Sequence, residues 1–401
     1  MDFVLDHMFL LALFFRLTDL LLALFLHLFV WEIFLDSPAG GAQTRGRDKA
    51  DVLRQVFQSE ATMKCAYITG TNQVEVRDEQ KPVPLKDELL VKIAYCGICT
   101  LEQRLYTGER TIYLPIIAGH EASATIVSVG PEVVSEHAIG DHVALDLANR
   151  CHICPQCLAG NTNLCENRFN KGQHVLGAFS EYMTVRPDQA HILPKELSLS
   201  TAALTEPLAC AIRSLKKVDL QLGETLMVCG AGTMGMLHMK VALAMGARVI
   251  MCDIDKQRLQ DALRMGCTVA LDASGPDLVG QVQQLTRGRG VECCIITSSS
   301  KDAARLAFQV LAPAARVNVF TSYDDKPEFP IDMNTVHRRE YQITGSESRT
   351  EVDFNQAVRV LSNKTVALEH LISKIFPLDS IGEAMAAALD KKTYRVLVRM
   401  E

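Results

Sequence analysis

A chain of 401 residues, 48% of them hydrophobic and 22% charged, has the composition of a globular protein large enough for two domains. A net charge of -6 with no long run of Lys or Arg excludes nucleic acid as a partner, since nothing in the chain would gather a phosphate backbone. Thirteen cysteines, an odd number in a chain too long to need staples, argue against a disulfide framework and for a reducing, cytoplasmic setting.

Residues 8–35 form an apolar stretch long enough to span a bilayer, interrupted by Arg16, Asp19, His27 and Glu32. Two central charges cost roughly 2.5 to 3.5 kcal/mol each, against about 0.3 to 0.6 kcal/mol returned by each apolar residue. Asp2 and Asp6 stand where a secretory signal carries basic residues, so export is not expected. If the segment spans a membrane, Arg45, Arg47 and Lys49 would hold the remainder in the cytoplasm. Residues 1–62 therefore read as an apolar extension and polar linker, either a membrane-associating anchor or a dispensable upstream start.

From Met63 the chain alternates short β-rich runs (ELLVKIAY, ASATIVSVG, DHVALDL) with Gly, Pro and Asp turns, which predicts a mostly β domain over 63–207. From Thr225 the pattern becomes strand then helix: TLMVCGAG, TMGMLHMKVALAMG, ARVIMCDID, KQRLQDALRMG. That alternation predicts a parallel sheet covered on both faces over 208–345, and 346–401 is expected to rejoin the first domain.

The first strand-to-helix junction carries Gly230, Gly232 and Gly235 as Gly-x-Gly-x-x-Gly, with Thr233 and Met234 opening the helix. Glycines there permit a tight turn and let backbone N–H groups approach a pyrophosphate at a helix N-terminus. A second apolar strand ends at Asp253, where a ribose hydroxyl would need an acceptor. Its carboxylate would repel a 2′-phosphate and favours NAD over NADP, with Arg258 a few residues on as the opposing signal.

Cys151, Cys154, Cys157 and Cys165 lie within fifteen residues, a spacing that wraps one tetrahedral zinc with no open position and is therefore structural. A second set is scattered: Cys99 in AYCGIC, His120 and Glu121 in AGHEAS, and Glu206 in LTEPLACAI. Three ligands from separate segments, with a fourth position left for water or substrate, describe a Lewis-acid zinc.

The GIC segment ending at Cys99, AGHE at 118–121, the four-cysteine lobe, the Glu206-Pro207 pair and VCGAGTMG together resemble the zinc-containing medium-chain dehydrogenase/reductase family, in its sorbitol and threonine dehydrogenase-like branch. The resemblance covers residues 63–401 and implies an α/β protein: a Rossmann doubly wound parallel sheet inserted in a GroES-like catalytic domain. It implies two zinc ions, NAD, a homodimer or homotetramer, and hydride transfer between NAD(H) and a secondary alcohol or ketone. Cys99, His120 and Glu206 would surround the catalytic zinc, with Glu121 a neighbouring or exchangeable ligand.

A glutamate at position 206, where alcohol dehydrogenases of the family commonly have cysteine, favours a polyol or sugar alcohol. One departure stands out. Leu101 occupies the place of the usual Ser or Thr that passes the alcohol proton outward, leaving Thr100, Glu121 or water for that task, while Glu102 falls on a supporting acid. Rival readings are an NADPH-dependent aldehyde reductase on the same scaffold and a catalytically silent dinucleotide-binding protein.

Overall fold

The structure is a computed structural model that describes residues 62–110, 112–168, 177–323, 328 and 331–400. The apolar stretch at 8–35 and its expected membrane role lie outside the described residues. Among the described residues no helix is long and apolar enough to cross a membrane.

Three sheets organise the chain. The first is small: strand Thr62–Gly70 pairs antiparallel with Gln73–Gln80 through a tight turn and takes Ile116–Ile117 on its other edge. The second has seven strands and is centred on Leu89–Gly97, which pairs antiparallel with Glu121–Val129. The sheet continues through His142–Asp146 to Ala190–Leu193, while Tyr182–Val185 adds to the start of Leu89–Gly97. Ile93, Ala124, Ile126, Val143 and Leu145 are fully buried in one apolar core. This is the GroES-like part of the fold.

The third sheet has six strands in the order Val269–Asp272, Arg248–Asp253, Thr225–Cys229, Val291–Ile296, Leu311–Val319, Gln342–Gly345, all parallel. Counted along the chain this is 3-2-1-4-5-6, the doubly wound Rossmann order. Period-two alternation explains how the strands are covered. Leu226, Val228, Val249, Met251, Cys293 and Ile295 face one core, and Met227, Cys229, Ile250, Cys252, Cys294 and Ile296 face the other. Both faces are apolar, so each strand reads as an uninterrupted hydrophobic run.

The chain then returns. Ile372–Pro377 and Arg395–Arg399 pair in parallel, and Arg399 stands opposite Tyr95, so these last strands extend the seven-stranded sheet and make the Rossmann domain an insertion in it. Helix Thr205–Lys217 packs on helix Glu351–Ser362, and Asp353 receives Arg213 at 3.2 Å and Lys216 at 2.6 Å. These contacts hold the residues beside Glu206 and Arg349 together.

Candidate functional site

Strand order reverses between Thr225–Cys229 and Val291–Ile296, and a crevice opens at the carboxyl ends of strands at such a point. Gly230 lies there with φ 112°, a left-handed conformation that glycine adopts without strain. A Cβ on Gly235 would collide with the Gly230 carbonyl oxygen, so the third glycine lets helix Thr233–Ala244 sit directly on the turn. Gly232 caps that helix, and the amides of Thr233 and Met234 are in its first turn, where a pyrophosphate is favoured. Asp253 ends the neighbouring strand; its Oδ2 accepts the Ala231 N–H at 2.6 Å and its Oδ1 the Asp255 N–H at 2.9 Å. Arg258 lies against Gly232 and donates to the Lys391 carbonyl.

The four lobe cysteines are all reduced, and their sulfurs lie within 4.8 Å of one another. Cys151 Sγ accepts the Cys154 N–H at 3.3 Å, Cys154 Sγ the Cys157 N–H at 3.4 Å, and Cys165 Sγ the Cys151 N–H at 3.4 Å. Backbone donors of this kind stabilise thiolates, and the amide of Ile153 heads the causes that bring Cys151 down to about 6. Four mutually adjacent sulfurs fit a closed zinc site, in which four sulfurs about 2.3 Å from the ion stand about 3.8 Å apart.

The second cluster is built on the helix Thr100–Thr107. Cys99 is its N-cap residue, and Glu102 reaches back to accept the Cys99 N–H at 3.0 Å. The other oxygen of that buried carboxylate accepts the Gly119 N–H at 3.2 Å and lies 2.7 Å from His120 Nδ1. A carboxylate only accepts, so His120 Nδ1–H donates, which leaves Nε2 as the nitrogen that would face a metal. Burial works against a charged His120, but Glu102 and Cys99 outweigh it and hold the ring well above its usual range. Burial raises the Cys99 thiol, and the Glu121 carboxylate adds to it.

Ligand atoms of Cys99, Glu102 and His120 lie within 4.8 Å of one another, as do those of His120, Glu121 and Glu206. His120 is common to both groups. Cys99 and Glu206 line the same cleft but do not join in a single set with His120 at that distance. The reason is a pair of arginines. Arg349 Nη1 holds Glu206 Oε1 at 2.6 Å while its Nη2 holds Asp146 at 2.8 Å, and Arg395 Nη2 stands 2.9 Å from Glu121 Oε1. That last pair lacks hydrogen-bond alignment, so both oxygens of the buried Glu121 are without a hydrogen bond among the described residues. Burial is the main cause that raises Glu121 to about 7, against the pull of Arg395. A thiol, an imidazole and an unsatisfied carboxylate, in two adjoining groups that share His120, fit a zinc ion.

The cleft holds about 270 Å³, and Thr100 and Leu101 line it beside Cys99, so a leucine side chain does stand where the hydroxyl was sought. Arg349, Arg395 and Asp146 were not foreseen. Arg395 alone carried a signal, as a charge opening the apolar run YRVLVRM.

Residues 85–195 match the alcohol dehydrogenase GroES-like domain, and residues 233–363 match the zinc-binding dehydrogenase domain. A sorbitol dehydrogenase of Bombyx mori is 31% identical over 351 residues, covering 84% of this chain and 98% of its own. The chain belongs to the zinc-containing medium-chain dehydrogenases. A sorbitol dehydrogenase of Halalkalibacterium halodurans is 29% identical to this dehydrogenase over 82% of the chain and 96% of its own length. Among solved structures, a zinc-binding dehydrogenase from Sinorhizobium meliloti 1021 bound to NADP superposes with a TM-score of 0.79 at 27% identity, covering 85% of this dehydrogenase and all of that chain.

Proposed function

We propose that this dehydrogenase oxidises a secondary alcohol of a polyol, or of a related small hydroxy compound, to the ketone with NAD. The observation that carries the reading is the convergence of Cys99, His120 and Glu206 on one cleft, with His120 fixed by Glu102 and Glu121 unsatisfied beside it. Zinc bound there would supply Lewis-acid polarisation of the substrate oxygen. Cys99 and His120 would hold it, with the third ligand from Glu206 or Glu121. Arg349 holds Glu206 in place, and Arg395 stands beside Glu121, opposing the burial that raises it. Leu101 has no exchangeable proton, so the alcohol proton leaves through the Thr100 hydroxyl, which is exposed on the cleft.

Asp253 supports NAD: a carboxylate at the strand end accepts a ribose hydroxyl and repels a 2′-phosphate. Arg258, the residue that could favour the phosphate, is engaged with the Lys391 carbonyl. The sorbitol dehydrogenase relatives support a polyol. The exposed edge strand Gln342–Gly345 suits the family's usual dimer or tetramer, which sedimentation would check. Initial rates with a panel of polyols, simple alcohols and aldehydes, each with NAD(H) and NADP(H), test the reading. Polyol oxidation with NAD supports it; activity confined to aldehydes with NADPH rejects it.

A further inference from the structure

A line of buried charges runs from the four-cysteine lobe to Glu206. Arg150, the residue before Cys151, has its Nε 3.3 Å from Glu351 Oε1, and the same carboxylate accepts the Thr162 hydroxyl of the lobe. Arg150 Nη1 lies 2.8 Å from Asp146 Oδ2. Asp146 gives its other oxygen, Oδ1, to Arg349 Nη2 at 2.8 Å, and Arg349 Nη1 reaches Glu206 Oε1 at 2.6 Å. The side chains of Asp146, Arg150, Arg349 and Glu206 are each at most 6% exposed, so water and salt screen these pairs little. Glu206 and Arg349 line the cleft, whereas Asp146 and Arg150 stand behind it.

Stability alone is a weak reason for the line, because apolar side chains of similar volume often serve a buried position as well as an ion pair does. Burial works against a charged Asp146, but Arg349 and Arg150 outweigh it and hold the carboxyl below its usual range. Its charge is thus divided between two guanidinium groups, and that of Arg349 between two carboxylates. Glu206 Oε1 also accepts the Cys210 thiol at 3.4 Å, which leaves Oε2 without a partner among the described residues. A carboxylate placed in this way can give a metal one oxygen, and the pull of Arg349 competes with the metal for its charge. Outer partners of this kind orient a ligand and set how tightly the metal is held.

We infer that Asp146 and Arg150 are positioning residues for the cleft zinc: Asp146 draws Arg349 back from Glu206 and so strengthens the hold of that carboxylate on the ion, and Arg150 weakens it by taking a share of Asp146. The inference rests on the dehydrogenase reading above, which puts zinc beside Glu206, and gives roles to two residues outside the cleft. The two act with opposite sign because the charges alternate along the line. Without the Asp146 charge, Arg349 bears wholly on Glu206. Without Arg150, Asp146 bears wholly on Arg349.

The test is an equilibrium competition for zinc between the intact enzyme and a graded chelator, with no substrate present. The wild type should give up two ions at two chelator strengths, and Cys99→Ser, which lacks the cleft ion, marks the one that belongs to the lobe. In Asp146→Asn the affinity of the cleft ion should fall by about tenfold, the lower end of the range for an outer partner of a ligand, while the lobe ion is held as before. In Arg150→Gln the affinity of the cleft ion should rise by about threefold, a size usual for residues along a coupled network. An NADH titration shows that each variant is folded, and should Asp146→Asn fail it, the sign of the change in Arg150→Gln decides alone. A weaker hold in both variants, the mark of a merely structural role, or an unchanged hold in both overturns the assignment and leaves the dehydrogenase reading intact. A wild type that carries a single ion, matched by Cys99→Ser, removes zinc from the cleft and overturns the reading on which the assignment rests.

Discussion

Glu102 Oε1 stands 2.7 Å from Nδ1 of His120, and the two are buried together under the helix that Cys99 begins. That single contact fixes the tautomer of the histidine and the direction of its other nitrogen. Replacing Glu102 by Gln keeps the shape and removes the charge. Loss of such a partner costs about 10- to 100-fold in metal affinity or activity. The expected result is a fall of that size in kcat/KM with earlier loss of one zinc to a chelator; wild-type rates and zinc retention would count against the assigned role.

The glycine turn gives a steric prediction. A Cβ on Gly235 meets the Gly230 carbonyl, a backbone atom that cannot swing away as a flexible side chain can. Gly235→Ala should push the helix off the turn, at about 1 to 3 kcal/mol for an overpacked contact. NADH affinity measured by fluorescence titration should weaken by at least about tenfold.

The four-cysteine lobe is tied to the site through its neighbours. Asn163 Nδ2 donates to the Glu347 carbonyl at 2.7 Å and Thr162 to the Glu351 carboxylate, and these two glutamates flank the segment that carries Arg349. Cys154→Ser removes a ligand from a closed site whose metal supplies its folding energy. Zinc content should drop by one ion per chain, limited proteolysis should cut between residues 151 and 168, and turnover should fall although no catalytic residue is changed.

His238 predicts a pH dependence. The ring is fully buried in the Rossmann domain, Nδ1–H donates to the Met234 carbonyl at 2.6 Å, and Nε2 has no partner among the described residues. Burial lowers it to about 4 from 6.5. Above pH 6.5 the ring is neutral whether folded or unfolded. As pH falls from 6.5 towards 4, the unfolded chain takes up a proton that the folded one refuses, and stability drops by about 3 kcal/mol across that window. His238→Gln should flatten that part of the curve of denaturation midpoint against pH; an unchanged slope would show the ring to be accessible.

Local chemistry was legible in the sequence wherever spacing alone specifies it. The lobe cysteines and the glycine turn with Asp253 are short-range patterns, and the structure brings each together. Glu102 was legible only through the family resemblance, which places a supporting acid at that position. The arginines were not. Arg349 meets Asp146 across 203 positions, and no local pattern announces a partner that only the return of the chain supplies. For the same reason the sequence groups Cys99, His120 and Glu206 as one set, whereas the structure shows two groups sharing His120, with Glu206 drawn to Arg349.

Zinc counted per chain in the wild type and in Cys99→Ser, alongside turnover and NADH binding, bears most directly on the site. Two ions in the wild type and one in the variant, with oxidation abolished and NADH still bound, is the expected outcome. A variant that keeps both ions and turns over at the wild-type rate would remove Cys99 from the metal and, with it, the catalytic centre described above.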